Sequence, residues 1–164
     1  MDRSVLLMMV VGLLVVLLAL MVLGWRARQR RQSTIAAPPL PPVEIGSVIG
    51  VFSARYVATT IASEPLNRIA VNGLGFRSVA TITVTHDGVL IERPGERRWW
   101  LDTPSIRGVR RATWTIDGVV ESNGLHVFEW ALGSQSVDSF FRLEAPAPFD
   151  IALERVLHRE DSTS

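Results

Sequence analysis

The hydrophobic pattern of the chain changes twice. From Val5 to Leu23 every residue is apolar or Gly, with no periodic polar position. At 1.5 Å rise per residue, a helix over Val5–Trp25 is about 31 Å long, enough to cross a hydrocarbon core of about 30 Å. Beyond the prolines near position 40 the pattern becomes short and alternating. Val51–Ala62 is rich in β-branched and aromatic residues, which predicts a strand. Glu64–Gly73 reads as a short helix or turn that ends near Asn72–Gly73. In Val79–Arg93, Ile82 and Val84 alternate with Thr81, Thr83 and Thr85. His86-Asp87-Gly88 then supplies turn chemistry before Val89, Leu90 and Ile91, so this stretch predicts a hairpin.

Further strands are expected through Trp99 and Trp100 and over Ser105–Trp114. A second hairpin is expected from Leu125–Leu132 and Val137–Leu143 around Gly133-Ser134-Gln135-Ser136. The period then lengthens. Phe149, Ala152, Leu153, Val156 and Leu157 fall on one face of a helix over Ala147–Glu160, with Pro148 suited to its first turn. The pattern predicts a mainly β domain of about seven antiparallel strands, curled into a sandwich or partly open barrel and capped by the amphipathic C-terminal helix. The chain divides into an anchor (1–25), an Arg-rich flank with a Pro-rich linker (26–46), the β domain (47–160) and a disordered tail (161–164).

Charge assigns the anchor an orientation. Arg26, Arg28, Arg30 and Arg31 follow the apolar run, whereas only Arg3, offset by Asp2, precedes it. The run is longer than the 7–15 apolar residues of a signal peptide, and its charge lies on the opposite flank. The positive-inside rule then keeps the C-terminal side in the cytoplasm of an inner-membrane protein, with Trp25 at the interface. Residues 1–34 hold five Arg and one Asp, whereas residues 35–164 hold twelve Arg and fifteen Asp or Glu. A domain with an acidic balance is a poor partner for nucleic acid, whose phosphates need neutralising cations. The four prolines of Ser33–Gly46 suggest a semi-rigid spacer.

The sequence resembles actinobacterial single-pass membrane proteins with a cytoplasmic pleckstrin-homology-like (PH-like) domain. The resemblance rests on the anchor with its Arg flank and on "YVATT" (56–60), "RIAVNGLGFRS" (68–78), "TVTHDGVLIER" (83–93) and "IRGVRRA" (106–112). It implies a PH-like fold and a membrane-bound interaction role. The phosphoinositide motif of eukaryotic PH domains is basic and spans the first two strands. Here the segment between the strands at Val51–Ala62 and Val79–Thr85 holds only Arg68 and Arg77 and the chain has no Lys, so the motif is not matched.

Catalytic signatures are absent from the sequence. There is no Cys, which excludes thiol chemistry, disulfides and Cys-ligated metals. His86, His126 and His158 have no metal-ligand spacing. Gly73 and Gly75 lack the third glycine of a dinucleotide loop, and "GSQSVDS" (133–139) lacks the last glycine of a nucleophile elbow. The carboxylates Asp102, Asp117, Glu121 and Glu129 are scattered. No enzymatic activity, cofactor or metal site is therefore expected.

The densest candidate surface is Arg93, Arg97, Arg98, Trp99, Trp100, Arg107, Arg110 and Arg111, with Trp114 beyond it. Arg and Trp together suit a protein partner or anionic headgroups. Against this, neighbouring strand residues point to opposite faces, so Trp99 or Trp100 is expected in the core and the arginines in ordinary ion pairs. The expected function is a cytoplasm-facing interaction or scaffolding module, held in the lipid bilayer by residues 5–25 and docking a protein partner. The alternatives are an anionic-lipid sensor, an exported envelope module released near Ala36–Ala37, and an enzyme whose site assembles only in space.

Overall fold

A computed structural model describes residues 3–112, 114–115, 118–119 and 124–157. His158, Asp117, Glu121 and the 161–164 tail lie outside the described residues, as does the side chain of Trp114. The chain forms two compact units, Met1–Thr34 and Ile35–Ser164.

The first unit is one helix, α1 (Arg3–Arg31). Its segment Arg3–Arg28 contains an 18-residue window of mean hydropathy 3.3 and is long and apolar enough to cross a membrane. It is apolar all round and so has no face suited to a soluble core. Arg28, Arg30 and Arg31 occupy its last turn, where cations complement the negative end of the helix dipole. Ser33 closes that end by donating its Oγ hydrogen to Arg30 O at 2.7 Å.

The second unit is built on a 14-residue strand, β1 (Val48–Ile61). The strands that follow are β2 (Glu64–Arg68), β3 (Ser78–Thr85), β4 (Gly88–Glu92), β5 (Trp99–Asp102), β6 (Ile106–Ala112), β7 (Trp114–Thr115), β8 (Gly118–Val119), β9 (Leu125–Leu132) and β10 (Gln135–Leu143). A C-terminal helix, α2 (Pro146–Leu157), ends the unit. The main sheet has eight strands in the order β5-β4-β3-β1-β10-β9-β6, with β2 also on β1, while β7 and β8 pair separately.

This is the open antiparallel sheet with a terminal helix that the alternating pattern predicted. β1 serves both halves. Its first part pairs with β3 (Phe52 opposite Ile82) and its last part with β10 (Thr59 opposite Ser139). A bulge between Tyr56 and Ala58 bends the strand where its partners change. β5 and β6 end the hydrogen-bonded path and are joined by a single 3₁₀ turn, Thr103–Ser105.

Two segments differ from the sequence expectation. Glu64–Arg68, read as a short helix or turn, is the strand β2. Ser63 takes a left-handed φ of 66°, which folds the chain straight back onto β1. Pro65 is tolerated because β2 is an edge strand.

The Pro-rich segment, read as a free spacer, is in its first half docked on the domain. Trp100 N donates to Pro39 O at 2.9 Å, and Asn72 Nδ2 donates to Ile35 O at 2.9 Å and to Ala36 O at 3.1 Å. Ile35 packs against the core. A proline segment has carbonyls but few N–H groups, so it satisfies the outer edge of β5 without extending the sheet.

The core is aromatic. Trp99, Trp130, Tyr56, Phe128, Phe141 and Phe149 are all buried. Phe149, Ala152, Leu153 and Val156 form the buried face of α2, as their spacing predicted. Phe149 stands edge-on to Phe52 and to His126, at centroid distances of 5.2 and 5.3 Å.

Candidate interaction surface

Strand alternation divides the Arg and Trp set. Trp99, opposite Ile91, points inward and is 1% exposed. Trp100, opposite Leu90, points to the other face and is also buried, its backbone N–H held by Pro39. Neither indole offers itself to a partner.

Arg93 follows the tryptophans inward. It is 5% exposed, with its guanidinium carbon 4.5 Å from the Tyr56 ring centroid and 5.3 Å from that of Trp99. Its Nη1 donates to Gly73 O at 2.9 Å. Burial pulls its pKa below the ordinary value, against the opposing pull of Tyr56 and Glu96. The aromatic faces and the carbonyl hold a cation that water no longer reaches.

The remaining arginines separate further. Arg97 and Arg107 are exposed. Arg98 forms a loose surface pair with Glu92 at 3.7 Å. Arg110 Nη2 donates to Asp138 Oδ2 at 2.6 Å, and burial raises the Asp138 pKa even though Arg110 opposes it. The next residue, Arg111, pairs with Asp150 on α2. His126 Nε2 meets the other oxygen of Asp150 at 2.8 Å. Burial pushes the Asp150 pKa up, but the hydrogen bonds from Arg111 and His126 outweigh it and hold the carboxyl below its usual range. The eight residues therefore do not form one face: Arg93, Trp99 and Trp100 are buried, Arg110 and Arg111 hold separate carboxylates, and Arg97, Arg98 and Arg107 remain at the surface.

At the other site, Trp25, Arg26, Arg28, Arg30 and Arg31 all lie at the C-terminal end of α1, where the sequence put them.

A buried polar chain escapes sequence reading altogether. Trp130 Nε1 donates to Ser139 Oγ at 2.9 Å, and Ser139 Oγ lies 2.7 Å from Thr59 Oγ1. Thr59 Oγ1 lies 2.8 Å from Tyr56 Oη, which donates to Leu74 O at 2.9 Å. An indole can only donate and a carbonyl can only accept, so both ends fix every hydroxyl between them in one direction. Burial pushes the Tyr56 pKa up to about 12, partly offset by Thr59 and Arg93. Tyr56 stays a neutral donor at physiological pH.

Asn72 and Gly73 take left-handed φ values of 56° and 75°, which makes the stretch around Gly73 and Gly75 a tight turn. No three His, Asp or Glu side chains among the described residues are grouped to hold a metal ion.

Residues 35–155 match the family described as bacterial PH domain-like. The chain belongs to that family. The match starts at Ile35, so the docked proline segment lies inside the PH-like domain. No curated protein matches the sequence. The family supports a generic interaction module. In this PH-like domain β2, β5 and β6 each have one strand partner among the described residues, and β5 has Pro39 against its outer side.

Proposed function

We propose that the protein is a membrane-anchored PH-like interaction module whose domain faces the cytoplasm and positions a protein partner at the membrane. The observation that carries this reading is α1, a helix apolar on every side that ends in a cluster of arginines directly before the domain. Arginines on that flank resist translocation and keep the following domain inside. The partner adds to the outer edge of β6, which has no strand beyond it among the described residues; main-chain groups supply affinity and the exposed Arg107 selects an acidic segment. The protein's work is binding and positioning, without a reaction of its own.

Protease treatment of intact cells and of inverted membrane vesicles tests the orientation. Protection of the domain in cells with digestion in vesicles is the expected result. Digestion from outside the cell makes the domain an envelope module and overturns the proposal.

A further inference from the structure

The ladder between β1 and β10 sets two arginines side by side. Arg55 lies directly opposite Arg142. Each stands between buried neighbours, Ala54 and Tyr56 on β1 and Phe141 and Leu143 on β10, so both side chains leave the sheet on the face away from the core. Both are exposed, and neither forms an ion pair or a side-chain hydrogen bond among the described residues. Opposed residues of an antiparallel pair have Cβ atoms about 4.5–5.5 Å apart, and like charges in that position destabilise the pairing. By contrast, Arg110 and Arg111 each hold a carboxylate.

The carboxylates nearest by register do not relieve this repulsion. Glu92, opposite Thr81, faces Arg98 at 3.7 Å. Asp138, further back on the same side of β10, accepts from Arg110. Glu144, beside Ser53 just past the end of β10, is exposed and forms no ion pair among the described residues. Apolar surface borders the two cations. Val79, opposite Arg55 on β3, is 54% exposed, and Val51, on the same side of β1 as Arg55, is 61% exposed.

We infer that this face binds an acidic segment of a protein partner, with one carboxylate shared by the guanidinium groups of Arg55 and Arg142 and an apolar neighbour of that residue covering Val79. The planar guanidinium fork matches a carboxylate, and a carboxylate set between two opposed cations replaces their repulsion with attraction to both. Glu92 and Glu144 on the same face favour a discrete anion over a polyanionic surface, because lipid headgroups or nucleic acid would also bring phosphates against those carboxylates. The site lies on the middle strands of the sheet. It therefore depends neither on strand addition at β6 nor on which side of the membrane the domain faces.

The chain has no native cysteine, so Val79→Cys of the full chain in detergent gives a single thiol beside the pair. This protein is equilibrated in a thiol redox buffer with three peptides that differ only after one cysteine: Glu-Leu-Glu, Gln-Leu-Gln and Lys-Leu-Lys. Mixed disulfides are counted by mass spectrometry. The expected result is severalfold more capture of the acidic peptide than of the neutral one, and least of the basic one. Adding Arg55→Gln or Arg142→Gln should remove most of that preference, whereas Arg107→Gln should leave it unchanged. Equal capture of the acidic and neutral peptides overturns the inference, as does a preference that survives both variants of the pair. Phosphatidylglycerol added to the micelles should not change the preference; its loss would make a lipid headgroup the occupant and overturn the inference. Stability gives an independent reading: Arg142→Gln should raise the unfolding midpoint at low salt and lose that gain at high salt. A lowered midpoint would mean that the two arginines do not repel and would remove the basis of the inference.

Discussion

The two ends of the open β-sheet domain are covered by opposite means. At one end α2 buries Phe149, Ala152, Leu153 and Val156 and adds a polar clasp, Asp150 with Arg111 and His126. At the other end a proline segment lies against the start of β5 and the 69–77 loop, held by three hydrogen bonds to its carbonyls and by Ile35. Apolar burial scales with area and holds an end firmly. Carbonyl hydrogen bonds to a surface segment contribute little net and open locally. The comparison teaches that the helix end is held chiefly by buried apolar area, while the proline segment is held chiefly by hydrogen bonds.

The largest test breaks the helix end. Phe149→Ala should cost about 3–5 kcal/mol, because a fully buried ring leaves a cavity among Phe52, His126 and Phe128. Denaturant unfolding of the full chain in detergent measures this, and a loss below about 1 kcal/mol would mean that α2 is not what closes that end.

The clasp gives the next effect, and a sign. Asp150 has a depressed pKa in the fold, so its contribution is present above the ordinary carboxyl pKa of about 3.9 and is lost as pH falls through the lower folded value. Its side chain is about one-third exposed, so Asp150→Asn should cost only about 1 kcal/mol near neutrality, a difference that shrinks below about pH 4. Asp138 is raised and has the opposite slope: ionising it costs the fold stability as pH rises through and beyond the ordinary value. Unfolding curves of the two Asp→Asn variants between pH 3 and 7 should therefore diverge in opposite directions. Parallel curves would remove the distinction between the two adjacent arginine pairs.

At the proline segment, Asn72→Gly keeps the left-handed backbone and deletes both side-chain bonds to Ile35 and Ala36. Global stability should fall by only about 1 kcal/mol, while amide exchange at Trp100 accelerates as Pro39 leaves. Unchanged protection at Trp100 would show the segment is held by something other than Asn72. The smallest effect belongs to Arg98→Ala. Its exposed pair with Glu92 predicts a change within about 0.5 kcal/mol by the same unfolding assay.

Legibility in the sequence followed the range of the forces. The 79–93 hairpin, the β9–β10 hairpin and the apolar face of α2 were readable because alternation, turn residues and helical spacing act over a few positions. The division of Trp99 from Trp100 followed from alternation alone. β2 was not readable: Glu64–Arg68 has no alternating pattern, and the neighbouring β1 makes it a strand. The docked prolines depend on Asn72, 36 and 37 residues away. Arg93 looked like a surface cation because its two aromatic faces come from β1 and β5. Small hydroxyls 80 residues apart, such as Thr59 and Ser139, carry no local pattern at all.

That last pair also bears on folding fidelity. β1 and β10 make a long-range antiparallel ladder, and a slip of one residue would keep most of its backbone bonds. It would also turn Thr59 away from Ser139 and break the relay at its one link between the two strands, leaving the Ser139 hydroxyl without its acceptor. The hydroxyl relay thus acts as a proofreading device: only one alignment of the first and last strands lets every link close.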